Sequence, residues 1–114
     1  RVLIGWSDIY LPEAYAGVVG AMGRRAGRVY ELIESRFGAR VARVEVEVTA
    51  DLFDARRASA LGVPVNSASL CVMRRYRDAA GQVLLLSQTH HPAERFTYSF
   101  DLLRGGDGSA WLAA

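Results

Sequence analysis

Lysine is absent from this 114-residue chain; all fourteen of its basic residues are arginine. Set against twelve acidic residues they leave a net charge of only +2. The arginines are also scattered, which excludes binding nucleic acid by charge alone, since that needs several phosphates neutralised along one face. Cysteine is reduced to Cys71, so neither an internal disulfide nor a cysteine-rich metal knuckle can form. Within its apolar, strand-like surroundings Cys71 reads as a small buried hydrophobe. No apolar run approaches the ~20 residues of a membrane span. Residues 1–20 also lack the basic start, apolar centre and small-residue cleavage site of a signal peptide. Together these absences point to a cytoplasmic address. There is no G-x-S-x-G to hold a nucleophile at a strained turn, so Ser7, Asp8, Ser35, Ser59, Ser87 and His90 read as structural rather than as a triad. Gly20-Ala21-Met22-Gly23 is followed by no Gly-Lys-Ser/Thr, which rules out a P-loop.

What is present suits one domain with one core: half of the residues are apolar and under a quarter charged. The chain is organised around Ser69–Phe100. Leu70, Val72 and Arg74 alternate with Cys71, Met73 and Arg75 along a strand. Asp78-Ala79-Ala80-Gly81 closes a hairpin, and Val83–Leu86 is the short apolar run of a strand covered on both faces. His90-His91-Pro92 is expected to break the pattern, because Pro92 cannot donate to a ladder and restricts His91. Phe96, Tyr98, Phe100 and Leu102 alternate with polar residues, predicting a further half-buried strand.

Upstream, Val2–Tyr10 reads as a strand, and Pro12 and Glu13 open a helix that Gly17, Gly20 and Gly23 make short or irregular. Val29, Leu32, Ile33 and Phe37 form one stripe, ended by Gly38, so Arg28–Phe37 is a helix. Arg40–Thr49 alternates, with Val44, Val46 and Val48 inward and Arg43, Glu45 and Glu47 outward. Asp51 is placed to cap a helix over Leu52–Leu61 that stops at Gly62. Residues 105–114 are glycine-rich and read as a flexible tail. The order of elements gives an α+β domain: an antiparallel sheet with helices packed on one side.

Few residues invite chemistry. His90 and His91 would point to opposite faces of a strand and have no third or fourth ligand spaced nearby, so no metal is expected. One should face a cavity and the other cap a turn. Arg28, in the first turn of its helix, opposes the helix dipole unless an anion shares that end, where free N–H groups converge. Arg74, Arg75 and Arg77 divide between a wet face and a pocket. Tyr10 and Tyr30 carry polar tips on apolar bodies.

The stretch ALGVPVNSASLCVMRRYRDAAGQVLLLSQTHHPAERFTYSFDL resembles the closing half of the UTRA domain, the effector-binding domain of HutC-type regulators in the GntR superfamily. The matching pieces are Leu61-Gly62, the arginine-bearing strand Leu70–Arg74, Asp78–Gly81, Val83–Thr89 and Glu94-Arg95-Phe96. Tyr10-Leu11-Pro12, the run Val29–Ile33 with Gly38, and small residues at Ala50 and Ala58 extend the resemblance over nearly residues 1–104. It implies a chorismate-lyase-like α+β fold, sensing of a small-molecule effector, a homodimer, and no cofactor. It also implies a winged helix-turn-helix domain, outside this chain, that binds operator DNA, with the sensor domain itself truncated at its N-terminus. The resemblance places Arg28, Tyr30 and a position close to His91 among the effector contacts; with Tyr10, Arg74 and Ser87 added, the expected effector-binding residues are Tyr10, Arg28, Tyr30, Arg74, Ser87 and His91. Two departures stand out: a hydroxyl position of the family is Arg28 and a carboxylate position is Leu85. Both favour a less polar, anionic effector such as a carboxylate. An enzyme of the chorismate-lyase type is the alternative, disfavoured because no general acid stands among the strands. A domain that only dimerises is the third.

Overall fold

A tight turn at Asp78–Gly81 builds the centre of the sheet. In this computed structural model, which describes residues 3, 5–21, 29–105 and 111–113, it joins β3 (Ala68–Arg77) to β4 (Val83–Pro92). The Gly81 N–H donates to the Asp78 carbonyl at 3.0 Å, and the Gln82 N–H donates to the Asp78 carboxylate at 2.9 Å. Gly81 has φ 86°, a left-handed conformation that a side chain would make costly by about 1–2 kcal/mol. Leu84 is an extra residue in β4: Tyr76 lies opposite Leu85 while Arg77 lies opposite Val83, a bulge of the kind that bends a strand.

Two further strands flank the hairpin. β1 (Trp6–Tyr10) pairs with β4 and β2 (Arg43–Leu52) with β3, giving the antiparallel order β1-β4-β3-β2. Because cross-strand partners share a face, the register sorts the sheet. One face carries Ile9, Ser7, Leu85, Ser87, Thr89, His91, Tyr76, Arg74, Val72 and the valines of β2; the other carries Trp6, Asp8, Tyr10, His90, Cys71, Met73 and Arg75.

Helix α1 (Val29–Phe37) buries Val29 and Ile33 against Tyr76 and Leu85, with Ile9, Leu11 and Tyr15 packed around them. Helix α2 (Ala55–Leu61) buries Ala58 and Leu61 against Phe53, Trp6 and Val63. The α+β class and the antiparallel sheet are as the sequence points to, but the helices are not packed on one side: α1 covers the Leu85 face, and α2 meets the sheet through Trp6, on the other, because its apolar residues pack with Phe53 and Trp6 there. The segment Glu13–Ala21 is a 3₁₀ helix, in keeping with its glycines. Beyond β4 a short 3₁₀ turn (Ala93–Arg95) leads to β5 (Leu102–Arg104), which pairs with β6 (Trp111–Ala113).

Four local expectations are corrected. Asp54, not Asp51, caps α2, accepting the Arg57 N–H at 2.8 Å; β2 runs on through Leu52 because Asp51 and Leu52 still pair with Ser69 and Ala68. His90-His91-Pro92 continues β4 rather than ending it, and Pro92 is its last residue, where a missing donor matters least. Val44, Val46 and Val48 are 41–44% exposed because β2 is the outer strand. Residues 96–101 form no strand: alternation reports half-burial, but a strand also needs a neighbour to pair with.

Candidate functional site

β3 and β4 bring Arg74 and Ser87 directly opposite one another, at the centre of the face that α1 partly covers. Ser87 is buried, and Ile9 of β1 flanks it on the other side. Arg74 is half-buried and is the only arginine among the strand residues of this face. Among the described residues it has no ion-pair or hydrogen-bond partner. A guanidinium in that position, beside a hydroxyl and apolar walls, has unmet capacity for an anion.

Tyr30, from α1, stacks on Tyr76 with ring centroids 5.6 Å apart and planes 17° from parallel. Tyr76 is the next residue of β3 on the Arg74 face. Burial raises its phenol above the ordinary value, the Arg74 charge opposes that, and Tyr30 adds to it. The phenol therefore stays neutral and keeps a proton to donate.

At the far end of the same face His91 is buried and stacks face to face on Phe96, 3.6 Å between centroids. Gly5 passes so close that a Cβ there would lie 2.9 Å from His91 Nδ1 and 3.0 Å from Thr89 Cγ2; only a residue without a side chain allows this approach. Between His91 and Ser87, the Thr89 and Ser7 hydroxyls meet at 2.9 Å. Arg95 fixes this end by donating to the Leu3 carbonyl at 3.1 Å and the Leu61 carbonyl at 2.9 Å.

Of the six residues singled out from sequence, Tyr30, Arg74, Ser87 and His91 thus belong to one surface. Tyr10 does not join them: it alternates with Asp8 onto the opposite face and is 53% exposed. Arg28 lies outside the described residues. Leu85, at the position where a carboxylate was sought, is part of the core beneath α1. Tyr76, Thr89 and Ser7 were missed, although the period of two from Arg74 and Ser87 names the first two. Ser7 becomes visible only through the pairing of β1 with β4.

Elsewhere a groove of about 260 Å³ runs between the α2–β3 connector and the Ala93–Arg95 turn, lined by Val63, Pro64, Ser67, Pro92 and Glu94 among others. Its one charged group is acidic, so it does not suit an anion. The opposite face holds a separate polar cluster: Arg57 donates to Asp8 and Asp54, each at 2.7 Å, near His90. Arg57 holds both carboxyls below their ordinary range.

The chain matches the family model described as the UTRA domain over residues 5–97. No curated protein matches it. Among solved structures it is similar to a GntR-family transcriptional regulator from Bacillus cereus, with TM-score 0.75, 17% identity, and coverage of 90% of this chain and 71% of that one. It is also similar to the C-terminal domain of the histidine utilization repressor from Pseudomonas syringae, with TM-score 0.73, 17% identity, and coverage of 86% and 67%. Against PhnF from Mycobacterium smegmatis the TM-score is 0.73 at 21% identity, covering 86% of this chain and 43% of that protein. At these identities the likeness is one of fold.

Proposed function

Because the chain belongs to the UTRA domain family, we propose that it senses a small-molecule effector on behalf of a transcription regulator. The observation that carries this reading is the Arg74 guanidinium, without an ion-pair or hydrogen-bond partner among the described residues, opposite buried Ser87 on a sheet face that Ile9, Leu85 and Val72 make largely apolar there. The effector is an anion, and a carboxylate fits best: Arg74 forks onto its two oxygens, Ser87 and the Tyr30–Tyr76 phenols donate at its sides, and His91 closes the far end. Arg28, preceding α1, adds a second cation. Tyr10, on the opposite face, contributes only indirectly. The sensing unit spans residues up to 104.

In the whole regulator this domain works as one of two copies. Operator DNA is met by a separate winged helix-turn-helix domain, and the protein is cytoplasmic. Effector binding controls DNA binding only to the extent that it favours one arrangement of the two copies over another. We read the domain as a sensor rather than an enzyme.

A thermal-shift panel of small carboxylates, phosphorylated sugars and amino acids tests this. A ligand at ~100 times its dissociation constant adds about 2.7 kcal/mol to stability, readily seen in a domain of this size. We expect a carboxylate to raise Tm in the wild type, and Arg74→Ala to weaken it by about 1.5–3 kcal/mol. A hit that is indifferent to Arg74→Ala would refute the site, and a panel with no hit at all would leave a dimerisation domain. Conversion of chorismate would overturn the sensor reading itself.

A further inference from the structure

We infer that Arg95 makes the chain ahead of β1 a regulatory arm of the effector face: His91 keeps its place there only while Leu3 and Gly5 are docked. This rests on the sensor reading above and names how its site is controlled. The Arg95 guanidinium forms no ion pair among the described residues. One of its nitrogens, Nη1, instead donates to two carbonyls, Leu3 at 3.1 Å and Leu61 at 2.9 Å. Leu61 is the last residue of α2, where a helix leaves carbonyls without partners of its own and a cation is favoured. Arg95 thereby fastens the chain ahead of β1 to the end of a packed helix.

The same residue reaches His91 by two routes. Phe96 follows Arg95 directly and stacks on the His91 ring, 3.6 Å between centroids and 4° from parallel. Gly5 lies two residues beyond Leu3, so close to the ring that a Cβ would sit 2.9 Å from Nδ1 and 3.0 Å from Cε1. With Phe96 against its face, the ring is not free to retreat from that approach. Closely packed contacts of this kind switch between discrete arrangements rather than deform gradually. In one, the arm is docked and the ring held; in the other, both are released. A small molecule bound against His91 favours the docked arrangement, and a docked arm favours its binding by the same factor.

Heteronuclear NMR of the 114-residue chain, with no effector added, tests the arm. The chain has two histidines, so His90→Gln assigns the His91 ring. In the wild type the ring protons of His91 are expected upfield, displaced by the stacked Phe96, with Overhauser contacts to the Gly5 α-protons. Arg95→Gln should lose both signatures. Arg95→Lys should keep most of both, because the two bonds leave a single nitrogen and an ammonium carries three donors. Gly5→Ala should remove the upfield displacement from the other end, and it remains decisive if circular dichroism shows that Arg95→Gln does not fold. Ile33→Val, in the core beneath α1, should leave both signatures in place; an equal loss there would reduce Arg95 to a general prop and overturn the inference. A His91 ring still displaced in Gly5→Ala, or in Arg95→Gln after the Gly5 contact has gone, would also overturn it. Because no effector is present, either failure leaves the sensor reading to its own thermal-shift panel.

Discussion

His90 and His91 are neighbours in sequence with opposite surroundings. His91 lies against Phe96 and Gly5. His90 is buried on the other face, where desolvation, and then the Arg57 charge, hold its imidazole below the ordinary 6.5; Asp8, Asp51 and Asp54 act in the opposite sense. With the folded value depressed, stability is full above the unfolded value of about 6.5 and falls as pH drops, because the unfolded chain takes up the proton first. The loss ends once folded His90 itself titrates. Urea midpoints at about pH 7.5 and about pH 5.5 should therefore differ, and His90→Gln should shrink the difference. The lowered Asp8 and Asp54 values act in a separate window: their contribution is present above about pH 3.8 and is lost as pH falls through the lowered folded values. Arg57→Ala should flatten that acid limb and cost about 1 kcal/mol at neutral pH, the upper end for a partly exposed pair.

Among elements, α2 and its flanks hold the sharper contrast between packing and exposure. Phe53 precedes the helix and is 1% exposed within the cluster of Ala58, Leu61 and Trp6; Phe100, in the segment after β4, is 61% exposed. Phe53→Ala should cost about 3–5 kcal/mol by denaturant unfolding, whereas Phe100→Ala should change stability by less than about 0.5 kcal/mol. Helix stops were legible because they depend on local chemistry: Gly38 and Gly62 carry φ of 70° and 69°, as a stop after Phe37 and Leu61 demands. The hairpin turn and the faces of β3 were legible for the same reason. Illegible were features set by distant partners. Asp51 has the chemistry of a cap, but the ladder to β3 claims it and leaves the cap to Asp54. The valines of β2 have the pattern of a core face, but only the strand order shows that, among the described residues, β2 is an outer strand whose valines stay partly exposed. The candidate site divides likewise: Arg74 and Ser87 were readable on a hairpin, while the exclusion of Tyr10 required knowing which face β1 turns to α1.

For the whole molecule, sequence separation differs sharply between one pairing and the next. β3 and β4 are joined by a turn of a few residues, but β1 joins β4 across 82 positions at the Ser7–Thr89 contact. The longer closure costs more conformational entropy before any contact offsets it. The hairpin should therefore serve as the folding nucleus, with β1 arriving late. Stopped-flow kinetics can separate the two: Val72→Ala, at the buried centre of β3, should slow folding, while Ile9→Ala should chiefly speed unfolding. Ser7 and Ile9 reach the Arg74 face only when that last strand docks. A ligand held there would thus recognise a finished chain and act as a brake on the first step of its unfolding. The nascent hairpin alone would be invisible to it.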